Sequence, residues 1–136
     1  MLVEQRIDAP ERERWGRRVL GDGQVEECSG ETAAFVDGEW RFGTQERRWR
    51  TLAALPPGAV EQLRNVIRDS GVMELPAEVA PAGTVIGGTE QTWTFAIDGR
   101  LRQVTLLGVR PDRVPPLAAL DTAVQLAVAE ALTRRG

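Results

Sequence analysis

Three Asp-Gly pairs, Asp22-Gly23, Asp37-Gly38 and Asp98-Gly99, each separate two short runs in which apolar and polar residues alternate. Alternation with a period of two is typical of a strand with one buried face. Asp and Gly also tolerate the positive φ angles of tight hairpin turns. A calcium loop would need several oxygen ligands at close spacing, and each pair brings essentially one carboxylate. The three pairs therefore predict β-hairpins and not cation sites.

The predicted turns determine which residues face each other. A two-residue turn at Asp22-Gly23 pairs Leu20 with Val25 and Arg18 with Glu27. The same geometry at the second turn pairs Phe35 with Trp40. At the third turn two registers stay open, since a two-residue loop sets Arg102 opposite Phe95 and a three-residue loop with a bulge sets Leu101 opposite Ile97. Of the tryptophans, Trp40 and Trp93 are expected inside.

Two further segments carry apolar residues at helical spacing. The segment 55–71 places Val60, Leu63, Val66 and Ile67 near one stripe and ends at Gly71. The segment 115–136 begins with two prolines and has this predicted apolar stripe: Leu117, Leu120, Val124, Val128 and Leu132. With a first strand over residues 2–7, the sequence predicts a single α+β domain, 1–136. Its mostly antiparallel sheet has about four to six strands, built from hairpins, and two helices pack on one face.

Missing residue types exclude several kinds of chemistry. The 136 residues include no histidine, no lysine and one cysteine, Cys28. Histidine-dependent triads, lysine Schiff bases and Walker-type phosphate loops are therefore excluded. A lone thiol without histidine also cannot form a Cys/His zinc site, so Cys28 is expected to be a small packed side chain. We predict no cofactor and no metal, and we favour a non-enzyme over an enzyme.

Charge and hydropathy indicate which partners to expect. The formal net charge is −3, which argues against general affinity for nucleic acid. The N-terminal sequence lacks the features of a signal peptide, and no apolar run is long enough for a membrane span. These observations predict a cytoplasmic protein that binds neither nucleic acid nor membrane.

Two short segments are candidate binding sites. In "GTVIGGT", Val85 and Ile86 are flanked by glycines; they either anchor the loop on the core or form an apolar tip for a partner's pocket. In "QERRWR", Arg48 and Arg50 are weaker candidates together with Trp49, and the other interpretation is a solvated strand face.

An acidic group offers a catalytic alternative. Glu26, Glu27, Glu31 and Glu39 are expected on or near neighbouring hairpins, and two carboxylates at a suitable separation could hydrolyse a sugar or another small substrate. Adjacent strand residues such as Glu26 and Glu27 point to opposite faces and do not make that pair.

The C-terminal half resembles a known family of small bacterial domains. The segments that carry the resemblance are "LPPGAVEQLRNVIRDSGVMELP", "TWTFAIDGRLRQVTL" and the Pro-led "PPLAALDTAV". They are similar to emfourin-like proteins, which include an inhibitor of thermolysin-type metalloproteases, and to related bacterial domains of unknown function. The resemblance implies a protein-binding module whose partner is a metalloprotease. No inhibitory residue is matched position by position.

Overall fold

The computed structural model describes residues 1–8, 13–32, 34–41, 49–80 and 90–135. The strands in these ranges are β1 (Val3–Asp8), β2 (Glu13–Val19), β3 (Gln24–Thr32), β4 (Ala34–Val36), β5 (Glu39–Arg41), β6 (Arg50–Ala54), β7 (Glu78–Val79), β8 (Glu90–Ile97) and β9 (Arg100–Leu107). The α-helices are α1 (Pro57–Asp69) and α2 (Pro115–Arg135), and two short 3₁₀ helices cover Val72–Glu74 and Pro111–Arg113.

The sheet confirms the predicted α+β class and the mostly antiparallel pairing, but it is larger than expected. Seven strands lie in the order β6-β3-β2-β1-β8-β9-β7, and β4 pairs with β5 in a separate hairpin. The predicted four to six strands fall short because Glu78–Val79, in the connection between α1 and β8, adds an edge strand. This strand is parallel to β9, whereas the other pairings in the sheet are antiparallel.

The second and third Asp-Gly pairs are tight two-residue turns. Asp37 and Asp98 have φ angles of 51° and 50°, and the glycines that follow them are also at positive φ, as a type I′ turn requires. Phe35 accordingly faces Trp40. At the third turn the two-residue alternative is the one adopted, with Phe95 opposite Arg102.

The first turn is where the predicted register is wrong. Val19, and not Leu20, faces Val25, and Arg18 faces Glu26. Gly23 alone of its pair has a positive φ, 96°. The loop therefore holds three residues, 21–23, and the backbone N–H of Gly23 donates to the Leu20 carbonyl at 2.9 Å. A glycine is required there because a Cβ at residue 23 would lie 2.5 Å from the Leu55 carbonyl oxygen.

One face of the sheet forms the core with the two helices. Val25, Val19, Val3 and Phe95 follow one another across four adjacent strands, and each is at most 3% exposed. Trp93 on the same face is 1% exposed, which confirms the prediction for that residue. Its indole N–H donates to Oε1 of Gln91 at 2.5 Å, so its one polar atom is satisfied.

The helices bury the predicted stripes except at two positions, Val66 and Leu132. Val60, Leu63 and Ile67 of α1 are buried, and Gly71 stands at φ 94° just beyond its end, as a helix stop requires. Four of the five stripe residues of α2 are buried, but Leu132 is 41% exposed. Ala131 is buried in its place, because the helix turns about 100° per residue and the last turn meets the sheet one position earlier.

The opposite face of the sheet is polar and is held by cross-strand charges. Glu26, Arg18 and Glu4 face one another across β3, β2 and β1. Nε of Arg18 lies 2.6 Å from Oε1 of Glu26, and Glu4 pairs with Arg6. Opposite charges on neighbouring strands support this register.

Candidate functional site

Three of the five predicted binding residues lie outside the part of the chain that the structure describes. Val85, Ile86 and Arg48 are outside the described residues. The predictions for the apolar loop tip and for Arg48 of "QERRWR" therefore remain predictions. Trp49 and Arg50 are described, and their surroundings can be compared with the proposed arginine patch.

Trp49 and Arg50 make contacts with the chain itself. The Arg18 guanidinium carbon lies 4.1 Å from the centroid of the half-buried Trp49 ring, a cation–π distance. Arg50 is exposed, with Nη2 3.9 Å from Oε1 of Glu27. These contacts orient the start of β6 against β2 and β3. Arg50, the described arginine of this segment, therefore has a carboxylate partner within the chain.

The acidic group shows no catalytic pair among its described side chains. Glu26 and Glu27 lie on opposite faces of β3, as predicted, where they face Arg18 and Arg17. Nη2 of Arg17 lies 3.5 Å from Oε2 of Glu27. The side chains of Glu31 and Glu39 are outside the described part of the chain. Within the described residues, no three Cys, Asp or Glu side chains are placed to hold a metal ion.

A different surface, the outer face of α2, stands out. Leu126 is 62% exposed. The exposed residues beside it on this face are uncharged with one exception, Glu130; the uncharged ones are Ala119, Thr122, Ala129 and Thr133. Their spacing of three and four residues places them on one side of the helix, opposite the buried stripe. A helix that is apolar on both sides is usually covered on both sides.

A groove runs beside this face, between α2 and α1. It encloses a cavity of about 430 Å³. The residues that line it are small, apolar or amide-bearing with one exception: Ala59, Gln62, Leu63, Asn65, Val66, Ala123, Leu126, Ala127 and the charged Glu130. Ala59, Ala123 and Ala127 leave room for this cavity because their side chains are only methyl groups. Leu126 forms the rim on the α2 side.

The arginines of α1 lie on the other side of that helix. Arg68 donates two hydrogen bonds to Asp98 in the β8–β9 turn, at 3.0 and 2.9 Å. These bonds hold the pKa of Asp98 below its ordinary value, since they stabilise the ionised carboxylate. Arg64 contacts Glu61 at 3.3 Å. Both arginines line a second cavity of about 360 Å³. Each already pairs with a carboxylate, Arg64 with Glu61 and Arg68 with Asp98.

Sequence reasoning identified α2 but not its outer face. Val66 was predicted in the buried stripe, and it is only partly buried because it lines the groove. The overlooked signal was that Leu126 and Ala129 lie off the core stripe in "PPLAALDTAVQLAVAEALTRRG", so the side opposite the stripe is not continuously polar. Apolar residues at helical spacing predict the buried stripe, but they give no information about apolar residues on the opposite side of the helix.

Comparison with known proteins adds no family assignment. Neither protein-family models nor curated proteins match this sequence. None of the helices in the described residues is both long enough and apolar enough to cross a membrane.

Proposed function

We propose that this chain is a non-catalytic protein-binding module that contacts its partner through the outer face of α2 and the groove between α1 and α2. The observation that carries the proposal is Leu126, 62% exposed on the rim of an apolar cavity of about 430 Å³. Exposed leucines beside such cavities are typical of protein interfaces, where a buried anchor supplies most of the affinity. The absence of histidine and lysine from the sequence supports a non-catalytic role.

A second form of the proposal makes the partner a thermolysin-type metalloprotease and adds the loop at Val85 and Ile86 as a further contact. It rests on the resemblance of the C-terminal half to emfourin-like domains and on Val85 and Ile86 as an apolar loop tip. An inhibition assay against thermolysin tests this form directly. If inhibition is found, replacing both residues with Ser weakens it and leaves the melting temperature nearly unchanged. Absence of inhibition would overturn the inhibitor form alone.

The general proposal is tested with a matched pair of leucine variants. Leu126→Asp places a charge on the rim of the groove. Leu101→Asp introduces the same charge away from the groove. Leu101 has a similar exposure, 69%, and lies on β9, on the sheet face away from the helices. We expect Leu126→Asp to lose partners that the wild-type chain and Leu101→Asp both retain from an extract of the source cells. Equal retention by all three proteins would overturn the assignment of this face.

The hydrolase alternative has no comparable support. Glu26 and Glu27 are on opposite sides of the sheet, and each has an arginine partner, which is a structural arrangement of cross-strand charges.

A further inference from the structure

We infer that the groove between α1 and α2 binds an amphipathic helical segment of another protein, one that carries basic residues at both ends of its apolar face. The inference rests on the proposed function and specifies the partner. Two features of the groove support it: its shape, and the charges at its ends. Those charges also disfavour a second copy of this chain as the occupant.

The shape of the groove fits a helix. The end of α1 lies beside the start of α2, since a Cβ at Gly71 would lie 3.7 Å from Cγ of Pro116. The two helices are therefore antiparallel, and the groove follows their length. Its floor of alanines with Leu63 and Val66 offers an apolar channel, and apolar residues at i, i+4 and i+7 of a third helix would fill such a channel.

The charges at the groove ends are both negative. Glu130 lines the cavity together with Ala59. Asp69, ten residues after Ala59, continues the line of Gln62 and Val66 along α1 at helical spacing. At about 1.5 Å per residue, Ala59 and Asp69 are about 15 Å apart along α1, so Glu130 and Asp69 flank opposite ends of the groove. Both residues are exposed, and neither forms an ion pair with a described residue.

These charges select among possible occupants. A segment with arginine or lysine about ten residues apart would place a cation near each carboxylate, and such complementarity favours encounter and orientation. A second copy of this chain would instead bring the same two carboxylates into one interface, where like charges repel. Arg134, one turn after Glu130 and also among the described residues, forms no ion pair with it and lines a different cavity with Thr51 and Ala54 of β6.

The test uses two synthetic peptides of about 16 residues. Both carry leucines at i, i+4 and i+7 on an alanine-rich helix. One has arginines about ten residues apart at the ends of the leucine face, and the other has glutamates there. We expect the basic peptide to bind the wild-type chain about fivefold or more tightly than the acidic one by isothermal titration calorimetry. The preference should shrink as salt is raised from about 0.05 to 0.5 M.

Three variants show where the peptides bind. Leu126→Asp should weaken the basic peptide about tenfold or more, whereas Leu101→Asp, the control of similar exposure, should leave its affinity unchanged. The double variant Asp69→Arg with Glu130→Arg should reverse the preference toward the acidic peptide. We expect each variant to remain folded, because the altered side chains are exposed. Circular dichroism and thermal melts check this.

The outcomes separate this inference from the proposed function. Equal binding of both peptides, binding of neither, or a preference that the double charge reversal does not change would overturn the inference. A dimer in analytical ultracentrifugation that Leu126→Asp disrupts would show that a second copy occupies the groove; that would also overturn it, and the proposed protein-binding face would stand. The proposed function itself fails only if Leu126→Asp retains the same partners as the wild-type chain.

Discussion

The two helices lie in one layer over one sheet, yet their outer surfaces differ in kind. α1 carries Glu61, Arg64 and Arg68 on the side away from α2, and these residues are joined to one another and to Asp98. α2 carries Leu126, a row of small uncharged residues and one charge, Glu130, on its outer side. The outer side of α1 is therefore typical of a helix in water. That of α2 is typical of a helix with a second neighbour.

The difference separates what the fold requires from what it leaves available. Leu63 and Leu120 are 2% and 0% exposed, so each helix supplies a buried leucine to the same core. Nothing in that core depends on Leu126. An apolar residue that the fold does not use is a better guide to function than a buried one, because packing does not explain it.

The largest expected effect tests whether the inner faces are equivalent. Leu63→Ala and Leu120→Ala each remove a fully buried side chain and leave a cavity. We expect each to lower the free energy of unfolding by about 2–5 kcal/mol. Urea denaturation followed by circular dichroism measures both. A loss below about 1 kcal/mol for Leu120→Ala alone would show that α2 is docked less firmly than α1, and the comparison would have to be redrawn.

A smaller effect is expected where α1 ends. Gly71 has φ 94°, and a Cβ there would meet no atom closer than Cγ of Pro116 at 3.7 Å. Gly71→Ala therefore introduces backbone strain without a clash, and we expect it to cost about 1 kcal/mol in denaturation experiments. Gly58→Ala, in the first turn of the same helix with open space around it, is the control and should be neutral or slightly stabilising. Equal costs at both positions would contradict this account of the helix stop.

The outer side of α1 should make stability depend on pH. Arg68 lowers the pKa of Asp98 mainly by hydrogen bonding, so the pair stabilises the folded state above the unfolded pKa of the carboxyl group. That contribution is lost as pH falls through the lower, folded pKa. We expect acidification from pH 7 to about 3 to lower the melting temperature of the wild-type chain more than that of Asp98→Asn. Asn keeps the turn, since it tolerates the φ of 50° found at residue 98. Parallel acid-dependent losses in the two proteins would remove this role from the pair.

The sequence supported the hairpins and helices, because local patterns determine them. Two of the three Asp-Gly turns follow the expected two-residue geometry. The first differs because Leu55 donates its N–H to the Gly23 carbonyl at 2.7 Å, a long-range contact that no local pattern records. The edge strand Glu78–Val79 was missed for a similar reason. Its two residues have no alternation to detect, and pairing with Thr105 and Leu106 defines it.

The candidate site was harder to predict than the fold. Trp49 is a predicted site because of the arginines beside it in the sequence. In the structure, Arg18 from β2 lies over its ring. The α2 face consists of ordinary residues, leucine and alanine, in a helix predicted for its core stripe. Its character emerges only when the sheet shows which side of α2 is already buried.

The smallest expected effect is the most informative about that face. Leu126→Gln replaces an exposed leucine with a residue of nearly equal helix propensity, so we expect the free energy of unfolding to change by no more than about 0.5 kcal/mol. The same substitution at Leu120, on the inner face, would bury an amide without partners and should be strongly destabilising. Denaturation of the two variants side by side gives the contrast. A cost above about 1.5 kcal/mol for Leu126→Gln would mean that the chain itself packs against this leucine. The outer face of α2 would then belong to the fold, as that of α1 does, and no partner would be needed to explain it.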